Sequence, residues 1–187
     1  MAYTVTAPSF EPVTLALAKE WLKVSGNDED LSITAIISAA RDYVESHTGQ
    51  FWAERTVTEY FDCWPDGNTI RLTVAPVSAI SSVQYIADGG STYSTFASGS
   101  YSKDIIGDPP RVVLLDGESW PDLEPIPNAV KVTYTAGLAS AGDVPESIKT
   151  SMRLLIAFWY ENREDMGLPA AERSAKNLLT TQKRYSF

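Results

Sequence analysis

One histidine and one cysteine are all this chain offers for the commonest metal and nucleophile chemistry, and their settings argue against both uses. A zinc site needs three or four ligands at short spacings, and neither a His-Glu-x-x-His nor a Cys-x-x-Cys pattern occurs. His47 falls on the apolar side of a helical pattern near its end, the position of a structural imidazole rather than a general base. Cys63 ends a strand-like run beside Trp64, with no neighbouring cation to stabilise a thiolate. The run Asp28, Glu29, Asp30 lacks the alternating oxygens and closing glutamate of a calcium loop; at a helix start, acids need only the dipole. Gly-Leu-Ala-Ser-Ala-Gly at 137–142 sits between a strand and a helix, as a phosphate cradle would. It has neither the lysine nor the glycine spacing of one and reads as a turn. No catalytic residue, cofactor or metal is therefore expected. The aromatics Trp64, Tyr93 and Trp120 could stack on sugars, so a small carbohydrate-binding module or hydrolase is an alternative class. The same rings serve equally as interface anchors or small local cores.

The elements around these residues come from periodicity. A chain of 187 residues is most simply one domain, large enough to bury roughly 70% of its unfolded surface. A short extended arm through Pro8 and Pro12 leads to a helix over 14–24, capped by Thr14, whose Leu15, Leu17, Ala18, Trp21 and Leu22 predict packing by most of its circumference. A second helix follows over 29–48, with Ile33, Ile36, Ile37, Ala40, Val44 and His47 inward and Gly49 past its end. The clearest helix runs over 144–164: Asp143 as cap, Pro145 in an early position, then Ile148, Met152, Leu155, Ile156 and Trp159 as one apolar stripe, with Gly167 and Pro169 ending it. Between the second and third helices, β-branched and aromatic runs predict strands at 56–62, 69–74, 79–86, 92–96, 111–115 and 129–135. Asp66-Gly67-Asn68 and Asp88-Gly89-Gly90 are hairpin signals, and the proline- and acid-rich 117–128 is a surface loop. The expected fold is α+β, a small core of three helices plus a short C-terminal one, with a β-rich insertion over about 56–135.

Charge narrows the partners. The formal charge is −9, which opposes a grip on nucleic-acid phosphates. No stretch approaches bilayer length, so no membrane partner is expected, and a lone cysteine suits a reducing compartment. The end of the chain differs: Arg173, Lys176, Lys183 and Arg184 face one acid, Glu172, and Ala171, Ala175, Leu178, Leu179 and Gln182 outline a modest apolar face. Such a tail either docks on a partner or folds back on its own acidic body.

Several ordered segments carry a resemblance. These are Thr-Leu-Ala-Leu-Ala-Lys-Glu-Trp-Leu-Lys-Val (14–24), Asp-Glu-Asp-Leu (28–31), Ile-Ile-Ser-Ala-Ala-Arg-Asp-Tyr-Val-Glu-Ser-His-Thr-Gly (36–49), Ile-Arg-Leu-Thr-Val-Ala-Pro-Val (70–77) with Ile-Ser-Ser-Val-Gln-Tyr (80–85), Val-Thr-Tyr-Thr-Ala-Gly (132–137), Val-Pro-Glu-Ser-Ile-Lys (144–149) and Trp-Tyr-Glu-Asn-Arg-Glu (159–164). In this order they resemble the head-to-tail connector (adaptor, head-completion) family of tailed bacteriophages. Leu178-Leu179 followed by Arg184 is similar to that family's closing pattern, although Thr-Thr-Gln-Lys at 180–183 departs from its proline-containing spacing. The resemblance implies a virion protein of the neck and no enzyme. It implies a homo-oligomeric ring of about a dozen subunits closed by heterologous contacts. The ring would sit beneath the portal protein, join capsid to tail and let genomic DNA pass without specific binding. On that footing 1–167 is a single connector domain and 168–187 a portal-docking tail acting through Arg173, Lys176, Leu178, Leu179, Lys183 and Arg184. Asp116, Glu118 and Asp122 would face the next tail component. A tail-side stopper or tail-completion protein is the alternative.

Overall fold

The computed structural model describes residues 2–162 and 169–184, which fall into two compact units. Among them are four α-helices and eight strands in two antiparallel sheets, the α+β class expected.

The helical unit comprises described residues of 8–53 and 138–184. Helix α1 spans Leu15–Leu22; Thr14 Oγ1 accepts from the Leu17 N–H at 3.3 Å, and Lys23 stops the helix in the left-handed region. Helix α2, Asp30–Thr48, ends at Gly49 with φ +70°, a conformation glycine adopts without steric cost. Helix α3 is Glu146–Glu161, and α4, Pro169–Leu179, runs into a 3-10 turn at Thr180–Gln182. The periodic stripes meet as expected: Ile33, Ile37, Ala40 and Val44 of α2 close on Ile148, Met152, Leu155 and Ile156 of α3, with Ala175 and Leu179 of α4 in the same core. Each fully buried Val, Leu, Ile or Met side chain here contributes roughly 1.5–3 kcal/mol.

Three expectations are corrected in this unit. Helix α1 does not pack by most of its circumference: Ala18 is its one buried residue, and Leu17 and Trp21 are 40% and 48% exposed. Among the described residues its main neighbours are α2 and α3, so one stripe of it is covered, with Ala18 buried and Leu15 and Leu22 partly buried. Asp143 does not cap α3; its carboxylate accepts from Ser140 Oγ at 2.8 Å, and Pro145 occupies the cap position without a side-chain bond. The helix stops at Glu161, while residues 163 and 164 and Gly167 lie outside the described residues. Pro169 opens α4 at a first-turn position, where a missing N–H costs nothing.

The β-rich unit comprises residues 2–7 and 54–137. Its strands are β1 Ala2–Val5, β2 Arg55–Phe61, β3 Thr69–Arg71, β4 Val77–Ile86, β5 Tyr93–Thr95, β6 Tyr101–Asp104, β7 Arg111–Leu114 and β8 Val130–Ala136. One sheet has the order β1-β2-β8-β4-β5, the other β3-β7-β6. Central strand β8 alternates strictly, burying Val130, Val132, Tyr134 and Ala136. The N-terminal arm is more than an arm: its first residues pair with β2 from Ala2↔Tyr60 to Val5↔Val57. The strand Tyr101–Asp104 was not foreseen, and its short alternation lies among turn residues. Asp88-Gly89 turns the β4–β5 hairpin as expected, with Gly89 at φ +69°. Gly67 has φ +91° too, but it joins β2 to β3, strands of different sheets, so no hairpin forms there.

A carboxylate sits inside this unit. Glu59, fully buried on β2, accepts from the Thr73 N–H at 3.2 Å, from the Thr73 hydroxyl, and from Tyr134 OH at 3.1 Å. Burial, reinforced by the Glu59 charge, pushes the Tyr134 phenol far above its ordinary range and keeps it a donor.

Candidate interaction surfaces

The basic tail folds back on the helical unit. Ala175 and Leu179 are fully buried, Ser151 Oγ donates to the Ala175 carbonyl at 3.3 Å, and Tyr43 OH donates to Glu172 at 2.5 Å. Gln50 Nε2 donates to the Gln182 carbonyl at 2.6 Å, and the Arg184 N–H to the Thr48 carbonyl at 2.9 Å, so the tail is pinned beside the α2 C-terminus. Of the six residues assigned to docking, Leu179 is internal. Lys176 is half-buried and pairs with Glu172 at 2.5 Å, and Arg184 is half-buried. Arg173, Leu178 and Lys183 are exposed. His47 stacks on Tyr43 with rings 3° from parallel; burial, then nearby Lys183 and Lys176, holds its pKa below the usual histidine value against a smaller opposing pull from Glu172. That is the structural setting anticipated for it.

Asp116, Glu118 and Asp122 are all exposed, on a loop held by aromatic packing. Trp120 stacks on Trp64 with centroids 4.5 Å apart, its Nε1 donates to the Gly67 carbonyl at 3.0 Å, and Trp64 Nε1 donates to the Pro121 carbonyl at 2.8 Å. Phe96, Tyr85 and Tyr101 complete the cluster. The Ala87↔Leu123 bridge and the Glu124 carboxylate, which accepts from the Gly89 N–H at 2.6 Å, fix the far end of the loop. The loop thus offers three carboxylates from a rigid backing. Tyr93 lies apart, under the Lys131 ammonium at 4.0 Å. Trp64 and Trp120 face each other rather than forming an open platform, which favours the local-core use of these rings over sugar stacking.

Two clefts remain. The larger, ≈ 790 Å³, is lined by Tyr60, Phe61, Cys63, Trp64, Ile70, Arg71 and neighbours in the β-rich unit; the smaller, ≈ 560 Å³, by Leu17, Glu20, Trp21, Lys23 and Arg153 in the helical unit. Among the described residues no group of three His, Cys, Asp or Glu side chains could hold a metal, and no helix is long and apolar enough to cross a membrane. Cys63 is exposed at the rim of the larger cleft. Sequence reasoning missed the exposed apolar residues Ile105 and Ile106 at the β6–β7 turn; two adjacent isoleucines in a Gly-Asp-Pro-Pro context were the available signal.

Residues 13–167 match the head completion protein family. Three solved structures share the fold over 100% of this chain and 97% of theirs: the neck of an empty gene transfer agent (GTA) particle computed with C6 symmetry (TM-score 0.82, 19% identity), the neck of a native GTA particle computed with C12 symmetry (0.80, 20%), and the virion of a native GTA particle (0.81, 21%). No curated protein sequence matches.

Proposed function

The chain belongs to the head completion protein family, and on that premise we propose that it is a structural virion protein of the neck, an adaptor ring that seats under the portal and joins the DNA-filled head to the tail. One observation carries the reading: both family match and fold similarity run through the helical unit and the β-rich unit alike, so the whole chain has the form of a neck component. A ring follows by analogy with the six- and twelve-fold neck structures, and requires two different patches on each copy. The formal charge of −9 suits a passage through which DNA slides, since counterion release would hold DNA on a basic wall. The role is structural, not catalytic.

The portal contact falls to the tail. Arg173, Leu178 and Lys183 are the exposed members of the set and carry it directly; Leu179 acts by holding α4 in place. Asp116, Glu118 and Asp122 face the next tail component from their rigid loop. Reversing Arg173 and Lys183 to Glu with Leu178→Asp should abolish portal attachment in a pull-down; unimpaired attachment removes the tail from the interface. Charge reversal at the three loop acids should block tail joining while leaving portal binding intact. Removing the gene from its phage tests the whole reading. DNA-packed, tailless heads are the expected outcome, and infectious tailed particles formed without the protein would contradict it.

A further inference from the structure

Ile106 is 94% exposed, more than any other large apolar side chain described, and Ile105 beside it is 39% exposed. They sit at the tip of the β6–β7 turn, and the turn is braced from within. Asp104 Oδ1 accepts from the Gly107 N–H at 2.8 Å, and Oδ2 pairs with Arg111 Nε at 2.8 Å. A Cβ at Gly107 would stand 2.7 Å from Asp104 Oδ2, so any side chain there would have to displace the carboxylate that braces the turn. The apolar tip is therefore presented in a fixed conformation, and little ordering entropy is lost if it is buried against a partner.

The helical unit has the converse feature. Leu17 and Trp21, one turn apart on α1, line the cleft of ≈ 560 Å³ with Lys23 and Arg153 at its rim. Tryptophan is one of the side chains enriched among those that dominate binding energy. The charges are also complementary. Arg153 shares the Glu146 carboxylate with Lys149, and with that acid included Lys23, Arg153 and Lys149 still outnumber Glu20 and Glu146 by one, whereas the turn carries Asp104, paired with Arg111, and Asp108.

We propose that Ile105 and Ile106 of one copy seat in the Leu17–Trp21 cleft of the next copy, the head-to-tail contact that builds the ring. This rests on the neck-ring reading above. Two unlike patches, each used once per copy, give a heterologous interface, which closes into a ring or runs on as a filament; an isologous contact would stop at a dimer.

The test uses the full chain with Cys63→Ser and one new cysteine per variant, Ile106→Cys or Leu17→Cys. Mixing the two under mild oxidation, alone at high concentration and on portal rings, should give disulfide dimers at about tenfold the level of either variant by itself. No excess on mixing overturns the contact, as does cross-linking of position 106 to a portal or tail protein instead. Separately, Ile106→Asp should lower ring yield about tenfold with unchanged thermal unfolding, because so exposed a side chain supports no core. Lys23→Asp should do the same and be rescued by Asp108→Lys. Undiminished rings from Ile106→Asp overturn this contact and leave the adaptor reading standing. Failure of the unaltered protein to form rings on any portal removes both.

Discussion

At the centre of the helical unit lie Met152, Leu155 and Ile156, wholly aliphatic; at the centre of the five-stranded sheet lies the Glu59 carboxylate with Tyr134 and Thr73 around it. The two cores specify structure differently. Aliphatic packing is non-directional and tolerates small shifts, whereas Glu59 is satisfied in one register only. Sliding β2 by a single residue would turn the carboxylate to the opposite face and leave its donors unpaired. The apolar centre of the helical unit therefore supplies non-directional stability beside a directional contact, the Glu45 carboxylate, which accepts from the Trp52 N–H at 3.0 Å and pairs with Arg41 at 3.3 Å. Glu59, by contrast, ties the sheet to one register.

Variants in each core should separate these roles. Leu155→Ala should cost about 2–5 kcal/mol in urea unfolding, because a fully buried side chain leaves a cavity that α2 and α4 cannot fill. Leu178→Ala on exposed α4 surface should stay within about 0.5 kcal/mol. Equal losses would mean α4 is not packed as described. In the other unit, Tyr134→Phe keeps the ring but removes a donor from a buried carboxylate, a loss of about 1–3 kcal/mol. A neutral result would show that Glu59 is not held by that hydroxyl. Trp120→Ala should leave both cores folded and free the acidic loop, raising hydrogen exchange of the 117–128 amides by about tenfold; unchanged exchange would mean the stack does not hold the loop.

The smallest effect is a pH dependence. His47 has its folded pKa lowered by burial and by Lys183 and Lys176, so the unfolded chain binds its proton more readily. The stabilisation is present above the unfolded value of 6.5 and is lost as pH falls through 6.5 toward the lower folded value. Lowering the pH from 7.5 to 5.5 should therefore loosen the tail more in the native chain than in His47→Gln, read as amide exchange at 169–184. An identical response would exclude His47 from this linkage.

The same contrast explains what could be read from sequence. The stripes of α2 and α3 repeat at three and four residues over 19 and 16 positions, long enough for period alone to identify the buried face. Over the eight residues of α1, period cannot say how much of the circumference finds a neighbour, so Leu17 and Trp21 read as core when they are exposed. The strand at Ala2–Val5 was unreadable because its role depends on a partner more than fifty residues away. Glu59 belongs by alternation with Val57 and Arg55 on the inward face of β2, yet a carboxylate in a β-run reads as outward until Tyr134 and Thr73 are found beside it. For the tail, sequence posed docking against folding back. The burial of Ala175 and Leu179 shows a folded-back tail that still exposes Arg173, Leu178 and Lys183. Truncation would uncover the helical core, so substitutions at exposed positions are the cleaner probe.

The most direct test of the account is native mass spectrometry of the full chain, alone and mixed with the portal ring of the same phage. A complex with about one copy per portal subunit is predicted, the copies joined in a ring by like contacts. No binding to the portal, with the protein found instead on isolated tails, would contradict the adaptor assignment and move the chain to the tail side of the neck.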